Sequence, residues 1–288
     1  MSSKVERAGV FRDTERWIRK DTALSVAVKA SVQGTVFYPE SEEIAAELAG
    51  EKGSTGTCPV TVTSHRSFEA AMLAHREDPE AKIAVLNFAS ATNPGGGVVN
   101  GSSAQEESLC RCSTLYPVLK TDRLWQQYYG RNRAQWNPLH TDDCIYTPGI
   151  VICKSDTDSP KRLEKEDWVT VDVISCAAPN LREKPGNIHN PEYGSGVHIT
   201  KGELYDLHVK RAKRILRIAA ANHVDILILG AFGCGAFAND PETVAMAMRE
   251  AVRSFRQDFK RIEFAVYCGA RDTRNYDIFR EIMEEKLK

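Results

Sequence analysis

"ELYDLHVKRAKRILRIAAANHVDILILGAFGCGAFAND", residues 203–240, runs from a helical pattern through an apolar strand pattern into a glycine-rich turn. Leu204, Leu207, Ala212, Ile215, Leu216 and Ala219 recur at helical spacing, with the basic residues mostly on the other face. "VDILILG" (224–230) is an unbroken apolar run, as expected of a strand covered on both faces. The same rhythm extends in both directions. "VTVDVISC" (169–176) upstream and "IEFAVYCG" (262–269) downstream read as further buried strands. A helix from about Pro241, with Asn239 and Asp240 as capping candidates, follows the glycine turn, and a last helix spans about 275–287. This alternation predicts an α/β fold, with helices on both faces of a mostly parallel or mixed sheet.

The N-terminal half adds to the pattern. "AKIAVLNFAS" (81–90) reads as another buried strand, preceded by a helix over "HRSFEAAMLAHRED" (65–78). A helix is expected around Phe11, Trp17 and Ile18, and a second over "SEEIAAELAG" (41–50), which Gly50 would terminate. "EKGSTGTCP" (51–59) reads as a linker or surface loop, and "PNLREKPGNIHNPEYGSGVHIT" (179–200) as a loop-rich insertion.

Composition narrows the functional classes. The 288 residues are 42% hydrophobic and 27% charged, with a net charge of −1, so no overall field favours nucleic acid or a membrane surface. No apolar run approaches the ~18 residues needed to span a bilayer. The N-terminus has no signal-peptide core. Eight cysteines are scattered, several inside apolar segments, which predicts reduced thiols in a cytoplasmic or nuclear protein. Cys110 and Cys112 are one residue apart, too close for a zinc knuckle, and the seven histidines show no H-E-x-x-H pairing; no metal is expected. The aromatics of "LWQQYYGRNRAQW" (124–136) read as core and lid contacts, with adenine stacking by Tyr128 or Tyr129 as an alternative.

Two glycine loops follow strands. "NPGGGVVNGSSAQEESLCR" (93–111) comes after the strand ending near Ser90, and "GAFGCGAFAND" (230–240) after the strand ending at Leu229. Ligands of open α/β sheets gather at such strand ends, where backbone N–H groups suit a diphosphate. Neither loop matches a P-loop or a G-x-G-x-x-G fingerprint. Gln105, Glu106 and Glu107 begin a helix expected to run through Leu109, Leu115 and Tyr116 to Pro117. Acids at a helix start are also simple caps. Adjacent residues point about 100° apart on a helix, so the two acids cannot face one atom equally. A helix N-terminus lowers a carboxyl pKa, whereas a general acid needs it raised.

Gly95-Gly96-Gly97, seven residues, then Gln105-Glu106-Glu107 resembles the GGG…QEE signature of poly(ADP-ribose) glycohydrolases, which have the macrodomain fold. The wording around it resembles the bacterial- and fungal-type branch, and the likeness extends through "VDVISCAAPN", "ILGAFGCGAFAND" and "VYCGARDTRNYDIF". It implies a three-layer α/β/α fold with a central mixed sheet. Residues 1–60 would form a helical extension packed on a catalytic domain of residues 61–288. It implies hydrolysis of ribose–ribose O-glycosidic bonds, without cofactor or metal. Glu107 would be the general acid and then assist water, Glu106 would hold ribose hydroxyls, and Gln105 would position the pair. Gly95, Gly96, Gly97 and Val98, with Gly233, Cys234, Gly235, Ala236 and Phe237, would contact the diphosphate and distal ribose. Asn87 or Asn93 would bind the proximal ribose. Related members carry asparagine where this chain has Ser90. The implied partner is ADP-ribose or poly(ADP-ribose) on modified proteins, with no membrane and no direct nucleic-acid binding. Alternatives are a mono-ADP-ribosyl hydrolase and a non-catalytic ADP-ribose-binding module; retention of both acids argues against the module.

Overall fold

A computed structural model describes residues 3–44, 58–186, 196–269 and 272–284. Helices α1 (Lys4–Lys20) and α2 (Thr22–Gly34) precede the short strand β1 (Val36–Tyr38). Next come β2 (Val60–Thr63), α3 (Ser67–Glu77), β3 (Ile83–Phe88), α4 (Gln105–Cys112) and α5 (Leu115–Leu119). Two short helices, α6 (Asp122–Leu124) and α7 (Gly130–Gln135), lead into β4 (Cys144–Ile152) and β5 (Val169–Cys176). The chain continues through α8 (Lys201–Ala221), β6 (Ile226–Leu229), α9 (Pro241–Arg253), β7 (Arg261–Ala265) and α10 (Arg274–Glu284). Most of the helix expected over 41–50, most of the loop 51–59 and the centre of the insertion 179–200 lie outside the described residues.

All seven strands form one mixed sheet in the order β1-β4-β5-β3-β6-β7-β2. β5, β3, β6, β7 and β2 are parallel, while β4 runs against both of its neighbours. The apolar runs are continuous because alternate side chains enter two cores. Ile83, Val85, Ile226 and Ile228 pack on one face, and Ala84, Leu86, Leu227 and Leu229 on the other. The α/β fold with helices on both faces of a mixed sheet is therefore the one expected.

The structure corrects one helix and adds elements. The helix expected from Gln105 to Pro117 is broken at Ser113, which is extended and bridges antiparallel to Ile152. Cys112 O accepts from the N–H groups of both Cys153 and Lys154, so strand pairing there ends α4. β4 was not anticipated: Pro148 and Gly149 interrupt its pattern, and the register shifts between Thr147 and Ile150. α2 was also unforeseen, although Asp21 caps it by accepting from Ala23 N and Leu24 N.

α1 is fastened to the sheet layer by side chains. Lys154, 2% exposed, donates to Asp13 Oδ2 at 2.8 Å and Val10 O at 3.1 Å. Thr14 Oγ1 donates to Arg111 O at 2.6 Å, and Phe11 meets Tyr116 edge-on at 4.8 Å. α1 thus lies against α4 and α5.

Candidate active site

The loop after β3 turns back over the start of α4. Gly95 and Gly96 have φ of +67° and +57°, a region that costs an L side chain about 1–2 kcal/mol. Contact is the stronger constraint. A Cβ on Gly96 would lie 2.5 Å from Glu107 Oε1 and 3.1 Å from Glu106 Oε2. One on Gly95 would meet Tyr116 Cδ2 at 2.7 Å, and one on Gly97 would meet Ser102 Oγ at 2.3 Å. Each glycine is needed for its own neighbour: Gly96 passes directly against the two carboxylates, Gly95 against Tyr116 and Gly97 against Ser102.

Gln105 sets the position of α4. Its Oε1 accepts from Phe88 N at 2.9 Å, and its Nε2 donates to Leu86 O at 2.7 Å and Ser67 Oγ at 3.0 Å. Glu106 then reaches Ser90 N with Oε2 at 2.8 Å and Asn87 Nδ2 with Oε1 at 3.3 Å. Glu107 Oε1 accepts from Gly97 N at 2.8 Å, while its Oε2 is buried without a hydrogen-bond partner. Burial pushes the Glu107 carboxyl above the usual carboxylate range, against the backbone N–H groups that lower it. Burial and the neighbouring Glu107 charge raise Glu106 well above that range. At this helix start desolvation outweighs the N-terminal dipole, which leaves a carboxyl able to hold a proton.

The second glycine loop is pinned by Asn239, whose Nδ2 donates to Pro179 O at 2.7 Å and to Gly233 O and Phe237 O at 3.1 Å each. Its Oδ1 meets His208 Nε2 at 2.7 Å. Asp240 alone caps α9, accepting from Thr243 N at 3.1 Å. The N–H groups of Gly235, Ala236 and Phe237 have no acceptor among the described residues, so they are available to an anion. In the first loop, Gly96 N donates to Asn93 O and Gly97 N to Glu107.

Both loops and both acids line one cavity of about 1170 Å³ at the strand ends. Asn93, Gly96, Gly97, Gln105, Glu106, Glu107, Gly233, Gly235, Ala236 and Phe237 are on its wall. Gly95, Val98, Asn87 and Cys234 are not. Val98 is a core side chain, and Cys234 packs against the other core. Asn87 is fully buried behind Glu106, donating also to Ser175 Oγ at 2.9 Å, whereas Asn93 faces the cavity and accepts from Arg133. Tyr128 and Tyr129 are core residues packed edge-on at 5.0 Å, away from the cavity wall, so neither is placed to stack on adenine.

The cavity also draws on residues that no motif marked. His140 lies 5.7 Å from Phe237, and its Nδ1 is 2.7 Å from Ala178 O; burial pushes its pKa down to about 3, so the ring is neutral and donates from Nδ1. Arg182 stands over the Phe237 ring at 5.9 Å. Arg66, paired with Asp158, stacks on Tyr267 at 3.9 Å on another wall. Lone charged and aromatic residues in loops have no period, so local sequence carries no signal for them. Among the described residues, no group of three or more His, Cys, Asp or Glu could hold a metal ion, and no helix is long and apolar enough to cross a membrane.

The model of the microbial-type PARG catalytic domain matches residues 12–155. The chain belongs to this family. Among solved structures it is similar to poly(ADP-ribose) glycohydrolase (PARG) of Thermomonospora curvata bound to the inhibitor ADP-HPD, at 29% identity and a TM-score of 0.78, covering 96% of this chain and 98% of that one. It is also similar to the Deinococcus radiodurans PARG in complex with ADP-ribose, at 34% identity and a TM-score of 0.74, covering 89% and 96%. No curated protein sequence matches. The family match includes the first glycine loop and the acid pair but ends before Gly233. The second loop and Phe237 fall within the structural likeness, which spans nearly the whole PARG-family chain.

Proposed function

We propose that this chain hydrolyses the ribose–ribose O-glycosidic bonds of poly(ADP-ribose) and releases ADP-ribose, with Glu107 as the group that moves the proton. The observation that carries this reading is the state of Glu107: one oxygen is held by Gly97 N–H, and the other is buried and unpartnered. Membership of the PARG family and the ADP-ribose complex of a similar enzyme support the substrate.

Protonated Glu107 donates to the oxygen that bridges the terminal ribose and the preceding one. The bond from that oxygen to the anomeric carbon breaks, its electron pair stays on oxygen, and positive charge develops on the sugar. Water adds to the anomeric carbon and gives a proton to the Glu107 carboxylate, which restores the starting acid. Most glycosidases place two carboxylates on opposite sides of the bond. Here both come from one helix end, so a single acid performs both transfers. Glu106 holds ribose hydroxyls, Gln105 anchors the helix, and the N–H groups of Gly235, Ala236 and Phe237 take the diphosphate. Asn93 is the better placed of the two asparagines to reach the proximal ribose. Polymer attached to modified proteins is the natural form of this substrate, and the free thiols support a reducing, cytoplasmic or nuclear setting.

The test is ADP-ribose release from poly(ADP-ribose), beside a mono-ADP-ribosylated protein, for wild type and Glu107→Gln. Release from polymer that is lost in the variant, with ADP-ribose binding retained, is the expected result. Release only from the mono-modified protein would make this a mono-ADP-ribosyl hydrolase. Binding without turnover of either substrate would make it a reader.

A further inference from the structure

The cavity does not end at the acid. α4 starts at the strand ends, where Gln105 is bonded to Phe88 and Leu86, and runs away from them. Glu107 and Arg111 are four residues apart and share one face of this helix, with Arg111 about one turn farther along it. Both lie on the cavity wall. Arg111 is 4% exposed; among the described residues its guanidinium has one hydrogen bond, to Ser102 O at 2.6 Å, and no ion pair. A guanidinium that is buried with a single neutral acceptor is poorly compensated. An anion arriving in the cavity would correct that.

Two more cations reach the same region. The first turn of α1 presses on the loop after the glycine triplet: Arg7 Nε donates to Gly101 O at 2.7 Å, and a Cβ on Gly101 would lie 2.0 Å from Lys4 O. Gly101, at φ +75°, is the residue that allows this approach. Lys4 and Arg7 consequently line the cavity together with Arg111, Ser102 and Ser103.

We infer that Arg111, Arg7 and Lys4 form a second anion subsite, on the leaving side of the broken bond, for the diphosphate of the preceding ADP-ribose unit. The inference rests on the poly(ADP-ribose) reading. The released unit places its diphosphate on the 233–237 loop, and its anomeric carbon lies at Glu107. The rest of the polymer continues past Glu107, and its next strongly charged group is another diphosphate. Three cations and two hydroxyls face that path. α1 is then part of substrate recognition as well as packing.

The experiment compares two substrates with wild type, Lys4→Glu and Lys4→Glu/Arg7→Glu. One is poly(ADP-ribose); the other is ADP-ribose with nitrophenol on its anomeric oxygen, which has no second diphosphate. Wild-type release from polymer tests the parent reading directly, and its failure would overturn both. The double variant is expected to raise KM for polymer about tenfold and Lys4→Glu about threefold, with the wild-type increase of KM with salt reduced in both. Kinetics on the nitrophenyl substrate stay within about twofold, which also reports an intact fold. Equal losses on the two substrates, or an unchanged polymer KM, would overturn the subsite.

Discussion

Gly97 N–H donates to Glu107 Oε1 at 2.8 Å, and on the neighbouring residue, Gly96, a Cβ would stand only 2.5 Å from the same oxygen. The glycine triplet therefore holds the acid and leaves space for it in one stroke. Two of its N–H groups are spent inside the protein, on Asn93 O and Glu107, while those of Gly235, Ala236 and Phe237 have no acceptor among the described residues. The two loops that look alike in sequence thus divide the work.

Replacing Gly96 by alanine should displace the Glu107 carboxyl and strain a left-handed residue. The expected cost is about 1–2 kcal/mol of stability from the backbone, with kcat lowered by about 10²-fold from misplacement of the acid. Urea unfolding and turnover of the same preparation check both. A fully active alanine variant would mean that the close approach does not matter.

The pH profile has a definite sign. Burial raises the Glu107 carboxyl, and in the proposed mechanism the protonated form starts the reaction. Wild-type kcat/KM should therefore be high on the acid side and fall as pH rises through that raised value. The residual activity of Glu107→Gln, lower by about 10²- to 10⁴-fold, should be flat across the same window. Activity that increases with pH through that window would assign Glu107 to another role.

Asn239 is the clasp of the 233–237 loop. Asn239→Ala removes its bonds to Pro179 O, Gly233 O and Phe237 O and strands His208 Nε2. About 1–3 kcal/mol of stability should be lost, together with about a tenfold weakening of ADP-ribose binding as the free N–H groups lose their alignment. Calorimetric titration with ADP-ribose measures the second effect.

Arg211 is buried, pairs through Nε with Asp142 Oδ1 at 2.8 Å, and donates to Ala177 O at 2.7 Å and Leu139 O at 3.2 Å. It ties the end of β5 to the segment that presents His140 to the cavity. Arg211→Met leaves Asp142 with Lys210 alone and those carbonyls without a donor. A loss of about 3–5 kcal/mol is expected in denaturant unfolding.

Much of this protein was legible locally. β5 begins and ends where the run "VTVDVISC" does, since a strand buried at every position but Thr170 reads as a largely apolar run. α8, α9 and α10 follow from their apolar spacing and, for α9, from Asp240 at its start. The GGG…QEE motif pointed to the acid pair through its resemblance to the poly(ADP-ribose) glycohydrolase signature; the structure adds that a Cβ on Gly96 would stand against both carboxylates. β4 stayed hidden because Pro148 and Gly149 imitate a turn, and only pairing with β1 and β5 makes that stretch a strand.

The sequence alone determined the alternation of helices and strands and the two glycine loops, which depend on neighbours within a few residues. Tertiary structure decided the rest. It raised the carboxyls by burial, placed Asn87 behind Glu106 and Asn93 on the cavity, and put Tyr128 and Tyr129 in the core. It also brought Arg66 to Tyr267 and Arg7 to Gly101 across long stretches of chain. Desolvation and contacts of this kind come from packed surfaces distant in sequence, and no local period encodes them.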